Sequence, residues 1–218
     1  MRNLVVSTFV TLDGVMQAPG APEEDPTEGF AYGGWSVSAW DDAMGEAMDE
    51  ATDAPFDLLL GRKTYEIFAA HWPYADDSMA VKLNEARKYV ASNTLTSADW
   101  RNSVVLDGDV AAKVRELKAG EGPEIQVHGS SNLIQTLNAD GLVDEYRVWI
   151  FPVLVGKGKR LFGDGLAATS LTLVETRTSS TGVTMNTYRP SGPVEIGSFA
   201  FEEPTEAERE RRERMVGS

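Results

Sequence analysis

The chain has no cysteine in its 218 residues, which excludes a disulfide framework, iron–sulfur clusters, cysteine-bound zinc and a thiolate nucleophile. Its two histidines, His71 and His128, show no ligand spacing, so no metal site is expected. No apolar run approaches the length of a membrane span. The opening "MRNLVVSTFVTLDG" reads as a first strand, because no small-residue cleavage site follows it. A cytoplasmic protein without membrane contact is expected. Positive charge is scarce as well: Lys and Arg total 20 against 34 Asp and Glu, a net charge of −14. From Asn3 to Gly61 there is no Lys, Arg or His, while Asp13, Glu23, Glu24, Asp25, Glu28, Asp41, Asp42, Glu46, Asp49, Glu50, Asp53 and Asp57 are all acidic. That balance excludes a nucleic-acid surface, which needs clustered cations to neutralise phosphates. The acidic stretch reads as a solvated face.

What is present is strand–helix alternation. A strand at 3–10 precedes a long Gly/Pro/acid-rich loop. A helix then opens with Ser38 and Asp41 and carries Met44, Ala47, Met48 and Ala51 at helical spacing. Strand 56–60, helices 63–70 and 77–87, and strands 88–92 and 103–108 follow. Next come a helix from Asp109 to Gly120, strand 124–128 and helix 131–139. "VDEYRVWIFPVLVG" is a strand signal interrupted at Pro152, and "SLTLVETRTSSTGVTMNTYRP" is a hairpin. The pattern predicts an α/β fold, a mixed, mostly parallel sheet flanked by helices with an antiparallel C-terminal hairpin. One domain over 1–190 with a C-terminal extension over 191–218 is expected, the Glu/Arg run from Glu206 forming a solvated or partner-bound helix.

Three strand-to-helix turns are alike: Gly61, Arg62, Lys63 and Thr64; Ser92, Asn93 and Thr94; and Gly129, Ser130, Ser131 and Asn132. Helix N-termini carry unpaired N–H groups and partial positive charge, and glycine lets a backbone approach a phosphate. Taken alone, such a turn is more often a plain cap than a phosphate site. Arg62 and Lys63 add the cations that could clamp a diphosphate or a ribose 2′-phosphate. "GKGKR" at 156–160 lacks the spacing of a Walker loop. Trp35, Trp40, Trp72 and Trp149 suit core or pocket wall, with Trp40 and Trp72 able to line a cleft.

"VTLDGVMQAPG", "GRKTYE", "YVASNTL", "VHGSSNLIQTL" and "FPVLVGKGKRLFGDG", in that order, resemble the dihydrofolate-reductase-like superfamily. The branch is the one similar to the C-terminal reductase domain of the bifunctional riboflavin-biosynthesis deaminase-reductase. The resemblance implies NADPH as cofactor. Gly61 to Thr64 would face the 2′-phosphate and pyrophosphate, Ser92 to Thr94 the adenosine ribose phosphate, and Gly129 to Leu133 the pyrophosphate. The loop from Asp13 through Gln17 would lie by the nicotinamide. Asp13 and Asp41 are expected as catalytic carboxylates, and Met16, Gln17 and Trp40 as substrate-binding residues. Two departures stand out: His128-Gly129 replaces a Gly-Gly pair of dihydrofolate reductases, and Val15 replaces a substrate-contacting Lys of the riboflavin reductases. The expected activity is hydride transfer to a small pterin- or pyrimidine-like heterocycle, the alternative being a non-catalytic ligand-binding protein on the same fold. A homodimer is expected, through the apolar run 147–155 and a tail bearing Ile196, Phe199 and Phe201.

Overall fold

Strand β1 (Leu4–Thr11) is buried along nearly its whole length, as a strand at the centre of a covered sheet must be. The computed structural model describes residues 1–164 and 166–216. The chain continues through α1 (Asp42–Ala51), β2 (Phe56–Gly61), α2 (Arg62–His71), α3 (Ser78–Glu85), β3 (Lys88–Ala91) and β4 (Ser103–Leu106). It then forms α4 (Val110–Ala119), β5 (Glu124–Val127), α5 (Ser131–Ala139), β6 (Glu145–Phe151), β7 (Ser170–Thr178), β8 (Thr184–Gly192) and α6 (Glu206–Val216). Among the described residues the strands form one eight-stranded sheet in the order β4-β3-β2-β5-β1-β6-β8-β7. β1 to β6 run parallel, and β8 lies antiparallel to both β6 and β7.

Leu4, Val6, Leu59, Ile125 and Val127 pack with Val114, Ile134 and Leu137 of α4 and α5. Phe56, Leu58 and Leu60 pack with Tyr65, Leu83 and Trp100. Met44 of α1 joins Trp149, Phe151, Val183 and Met185. β2 is buried at every position, so its apolar run "FDLLLG" needs no alternation. The chain leaves β2 through α2 toward β3 on one side and leaves its neighbour β5 through α5 toward β6 on the other. A crevice opens where neighbouring strands part company in this way, at their carboxyl ends.

Two expectations are corrected. The first helix is not opened by Ser38, which lies in a 3-10 turn; Asp41 is its N-cap and accepts from Met44 N at 3.1 Å. Within the run 147–155, the strand part is not an edge: β6 sits between β1 and β8, and Val148, Trp149 and Phe151 are core, while Leu154, just beyond β6, is exposed. Further exposed apolar groups lie on the outer strand β7, at Leu171, Leu173 and Val174, and along the tail at Ile196, Phe199 and Phe201. No residue of α6 is buried. Much of the acidic stretch is paired: Asp57 with Arg2, Asp25 with Lys159, Glu50 with Arg177 at 2.7 Å and Asp49 with Lys82 at 3.6 Å. Among the described residues no helix is long and apolar enough to cross a membrane, and no carboxylate–histidine cluster is placed to hold a metal ion.

Candidate functional site

The crevice at the β2/β5 switch point is a cleft of about 870 Å³. Its floor is made by two turns that nearly touch. Gly61 N donates to Gly129 O at 3.5 Å, and the Thr64 and Ser130 hydroxyls are 3.0 Å apart. A Cβ on Gly61 would lie 2.3 Å from Ser130 Oγ, and one on Gly129 would lie 2.7 Å from Thr64 Oγ1. Both glycines are therefore required by close approach. The Gly129–Ser130 peptide is cis.

Helices α2 and α5 start at this floor at Gly61, which has no side chain to cap with, and at Ser130, whose side chain does not bond back to its helix. Their first N–H groups stay available, with the positive end of each helix dipole directed at the cleft. The N-terminus of α4 also borders the cleft, through Gly108 to Ala111, but there the Asp109 carboxylate accepts from Ala112 N at 3.0 Å. An anion is thus favoured at α2 and α5 and disfavoured at α4. Arg62 spends Nε on Glu66 at 2.7 Å and Nη1 on Thr94 Oγ1 at 2.8 Å, leaving Nη2 without a partner among the described residues. No carboxylate of the described residues pairs with Lys63.

The opposite wall is the long loop after β1, zipped to the loop after β6. Met16 N donates to Lys159 O at 2.8 Å and Leu161 N to Gly14 O at 3.1 Å. Gln17 is the central tie: Oε1 accepts from Lys159 N at 3.0 Å, while Nε2 donates to Asp25 O and Thr27 O at 2.9 and 3.0 Å. Burial raises the Asp25 pKa, yet the hydrogen bonds from Lys159 and Thr27 outweigh it and hold the carboxyl below its ordinary range. Burial pushes the Glu24 carboxyl up, against hydrogen bonds from Gly20 N and Ala21 N. Glu24 is thus a cleft-lining acid held more protonated than usual.

Gly61 to Thr64, Gly129 to Leu133, Met16 and Gln17 all line the cleft. Gln17 does so with its amide already committed. Ser92, Asn93 and Thr94 stand just behind it: Ser92 Oγ accepts from Thr94 N and Leu95 N, Asn93 Oδ1 accepts from Gly108 N at 2.6 Å, and Thr94 holds Arg62. Asp13, Asp41 and Trp40 lie outside the lining. Asp13 fastens loops, accepting from the Thr11 hydroxyl at 2.6 Å, which holds its pKa down, and from Gly156 N at 2.8 Å. Asp41 caps α1 and accepts from Ser180 N and Oγ, both at 2.7 Å. Trp40 is half-exposed beside Phe9 and Trp149, and Trp72 packs on Phe68. Sequence reasoning missed Phe68, Met48, Glu24 and His128 in the lining. The last had a signal: His128 continues the two-residue period of Glu124 and Gln126 on β5.

Residues 2–185 match the model of the RibD C-terminal domain. The uncharacterized protein YyaP of Bacillus subtilis (strain 168) is 28% identical over 196 residues, covering 88% of this chain and 96% of its own. A proposed riboflavin biosynthesis protein from Shewanella sp. PV-4 has a similar structure, with TM-score 0.62, 21% identity and coverage of 88% of this chain and 99% of its own. Dihydrofolate reductase from Enterococcus faecalis, complexed with NADP(H), superposes with TM-score 0.56 at 14% identity, covering 86% of this chain and 96% of its own. The mixed, mostly parallel sheet with its antiparallel C-terminal pair is the fold these structures share.

Proposed function

The chain belongs to the RibD C-terminal domain family, and from that premise we propose that it is an NADPH-dependent reductase acting on a small pterin- or pyrimidine-like heterocycle. The observation that carries the reading is the pair of helix N-termini without side-chain caps, α2 and α5, meeting at glycines with no room for a side chain. The residues fit a dinucleotide: the donors suit a pyrophosphate, Arg62 and Lys63 suit a 2′-phosphate, and the cleft volume lies in the range of cofactor pockets. The dihydrofolate reductase with the same fold is complexed with NADP(H), which supports the choice.

When bound, the nicotinamide supplies the hydride. The protein's task is then to hold donor and acceptor in register and keep water out. Ser130, Thr64 and the N–H groups of α2 and α5 would fix the pyrophosphate. Arg62, braced by Glu66 and Thr94, would meet the 2′-phosphate. Met16, Phe9, Met48, Ile67 and Phe68 would wall the reacting end. Glu24, the acid whose pKa burial raises, would face the same space as a proton source. The placement of Asp13 and Asp41 outside the cleft favours a second reading, a binding protein that retains the cleft without turnover. We also propose a homodimer through β7 and the tail, where the exposed apolar groups lie.

Steady-state oxidation of NADPH against a panel of pterins and ribityl pyrimidines tests the reading. Turnover with any member is expected. Tight NADPH binding without turnover across the panel favours the second reading, and absence of NADPH binding contradicts both.

A further inference from the structure

Strands buried on both faces of a parallel sheet are lined by aliphatic side chains. One face of β5 breaks that rule, because Glu124, Gln126 and, just beyond the strand, His128 alternate onto it. They belong to a continuous polar row. Arg189 Nε donates to Glu145 Oε2 at 2.9 Å, and Arg147 Nε donates to Glu145 Oε1 at 2.9 Å. Arg147 also grips Glu124 with both terminal nitrogens, at 2.8 and 2.9 Å. Gln126, only 2% exposed, donates from Nε2 to Glu124 Oε1 at 3.0 Å and to Ala51 O at 3.1 Å, and its Oε1 lies 3.0 Å from His128 Nε2.

This row fixes a tautomer. A flipped Gln126 amide would set its oxygen against the Glu124 carboxylate and the Ala51 carbonyl, so Oε1 must face His128. An amide oxygen only accepts, and the contact therefore needs the proton on His128 Nε2. Nδ1 is left with a lone pair, and it has no hydrogen-bond partner among the described residues. The ring borders the cleft beside Phe68, at 6.4 Å between ring centres. Burial and then the positive charge of Arg147 hold the imidazole at a pKa of about 4, so it stays neutral at pH 7.

We propose that His128 is a specificity-determining residue whose Nδ1 accepts a hydrogen bond from a ring N–H, amino or hydroxyl group of the substrate. The cleft then takes heterocycles with a donor on the edge turned to β5 and rejects their N-alkylated analogues, which would cover the Nδ1 acceptor without pairing it. Buried polar rows are costly to keep, and this one holds the imidazole in a single protonation state at the cleft. The proposal rests on the reading of the cleft as a reductase site.

The test uses the full chain with NADPH and two probe pairs: a pterin and its N-methylated counterpart, and an aminouracil and its N-methylated counterpart. Nitrogen-15 spectra of the histidine rings should show the proton of His128 on Nε2. The Nδ1 resonance should move toward that of a hydrogen-bonded nitrogen with a donor-bearing probe and stay in place with its methylated partner. That experiment needs no variant. In parallel, His128→Asn, which keeps an acceptor near the Nδ1 position, should bind the donor-bearing probe better than His128→Phe, which keeps the ring and is expected to lose roughly tenfold. A proton on Nδ1, equal binding of both members of each probe pair, or wild-type affinity in His128→Phe overturns the proposal. Failure of wild-type protein to bind NADPH counts instead against the reductase reading, since the tautomer is read without any cofactor.

Discussion

A methyl group at position 61 would have to enter the space that Ser130 Oγ fills, 2.3 Å away. Gly61→Ala is therefore expected to cost roughly 1–3 kcal/mol, and Ser130→Gly in the same chain should return most of it, because the clash is with that side chain. Thermal unfolding of the two single variants and the double variant checks this. His128 gives a second expectation. Its folded pKa of about 4 lies below the ordinary 6.5, so the unfolded chain takes the proton first as pH falls. Its contribution to stability is full above about pH 6.5, declines toward about pH 4 and is flat below. A melting series should show wild type losing stability relative to His128→Phe within that window and tracking it outside. That Gly61, Arg62, Gly129 and Ser130 stand at strand-to-helix turns was legible in the sequence, and the structure brings those turns to one cleft. The position of His128 could be read from the two-residue period of β5, but its hydrogen-bond geometry could not, since that depends on Gln126 and on Arg147, which reaches the polar row from another strand. Asp41 was misplaced for a related reason: a helix-capping aspartate and a cleft aspartate look alike until Ser180 is seen beside one of them.

Between elements, the wall of the cleft depends on one amide. Gln17→Ala would leave Lys159 N and Asp25 O without their partner and Thr27 O with Phe30 N alone, and the loop would be held mainly by the Lys159–Asp25 ion pair and the short ladder around Val15 and Arg160. Amide exchange at Lys159 is expected to quicken by at least tenfold, with exchange in β2 and β5 unchanged. An unaltered Lys159 amide would show that the loop is held elsewhere. Helix and strand positions were legible because periodicity and turn residues mark them, and α5 has the span that its pattern predicts. The clasp was not legible, because it joins residues more than a hundred positions apart through Gln17, a side chain the sequence assigned to substrate and not to the loop beyond β6.

For the molecule as a whole, strand order decides which apolar residues remain outside. β6 looked like an edge from its bend at Pro152, but the return of β8 beside it makes it interior and moves the edge to β7. The parallel α/β class was legible in the alternation of elements; the order of the strands is a non-local property that no local pattern encodes. An edge strand and a tail with exposed Leu171, Leu173, Ile196, Phe199 and Phe201 are expected to be covered by a second copy. Sedimentation at micromolar concentration should give twice the 23.7 kDa monomer, and deletion of 194–218 should weaken association without abolishing it. A monomeric full-length chain would contradict this.

The central claim is that the uncapped starts of α2 and α5, with Arg62 and Lys63 beside them, form a seat for a phosphorylated dinucleotide. Calorimetric titration of wild type and Arg62→Ala with NADPH and with NADH tests it most directly. One NADPH per chain is expected, bound more tightly than NADH by roughly 1.5–3 kcal/mol per charge-assisted hydrogen bond to the 2′-phosphate, with most of that difference erased in Arg62→Ala. Equal affinity of wild type for the two cofactors, or no binding of either, would contradict it.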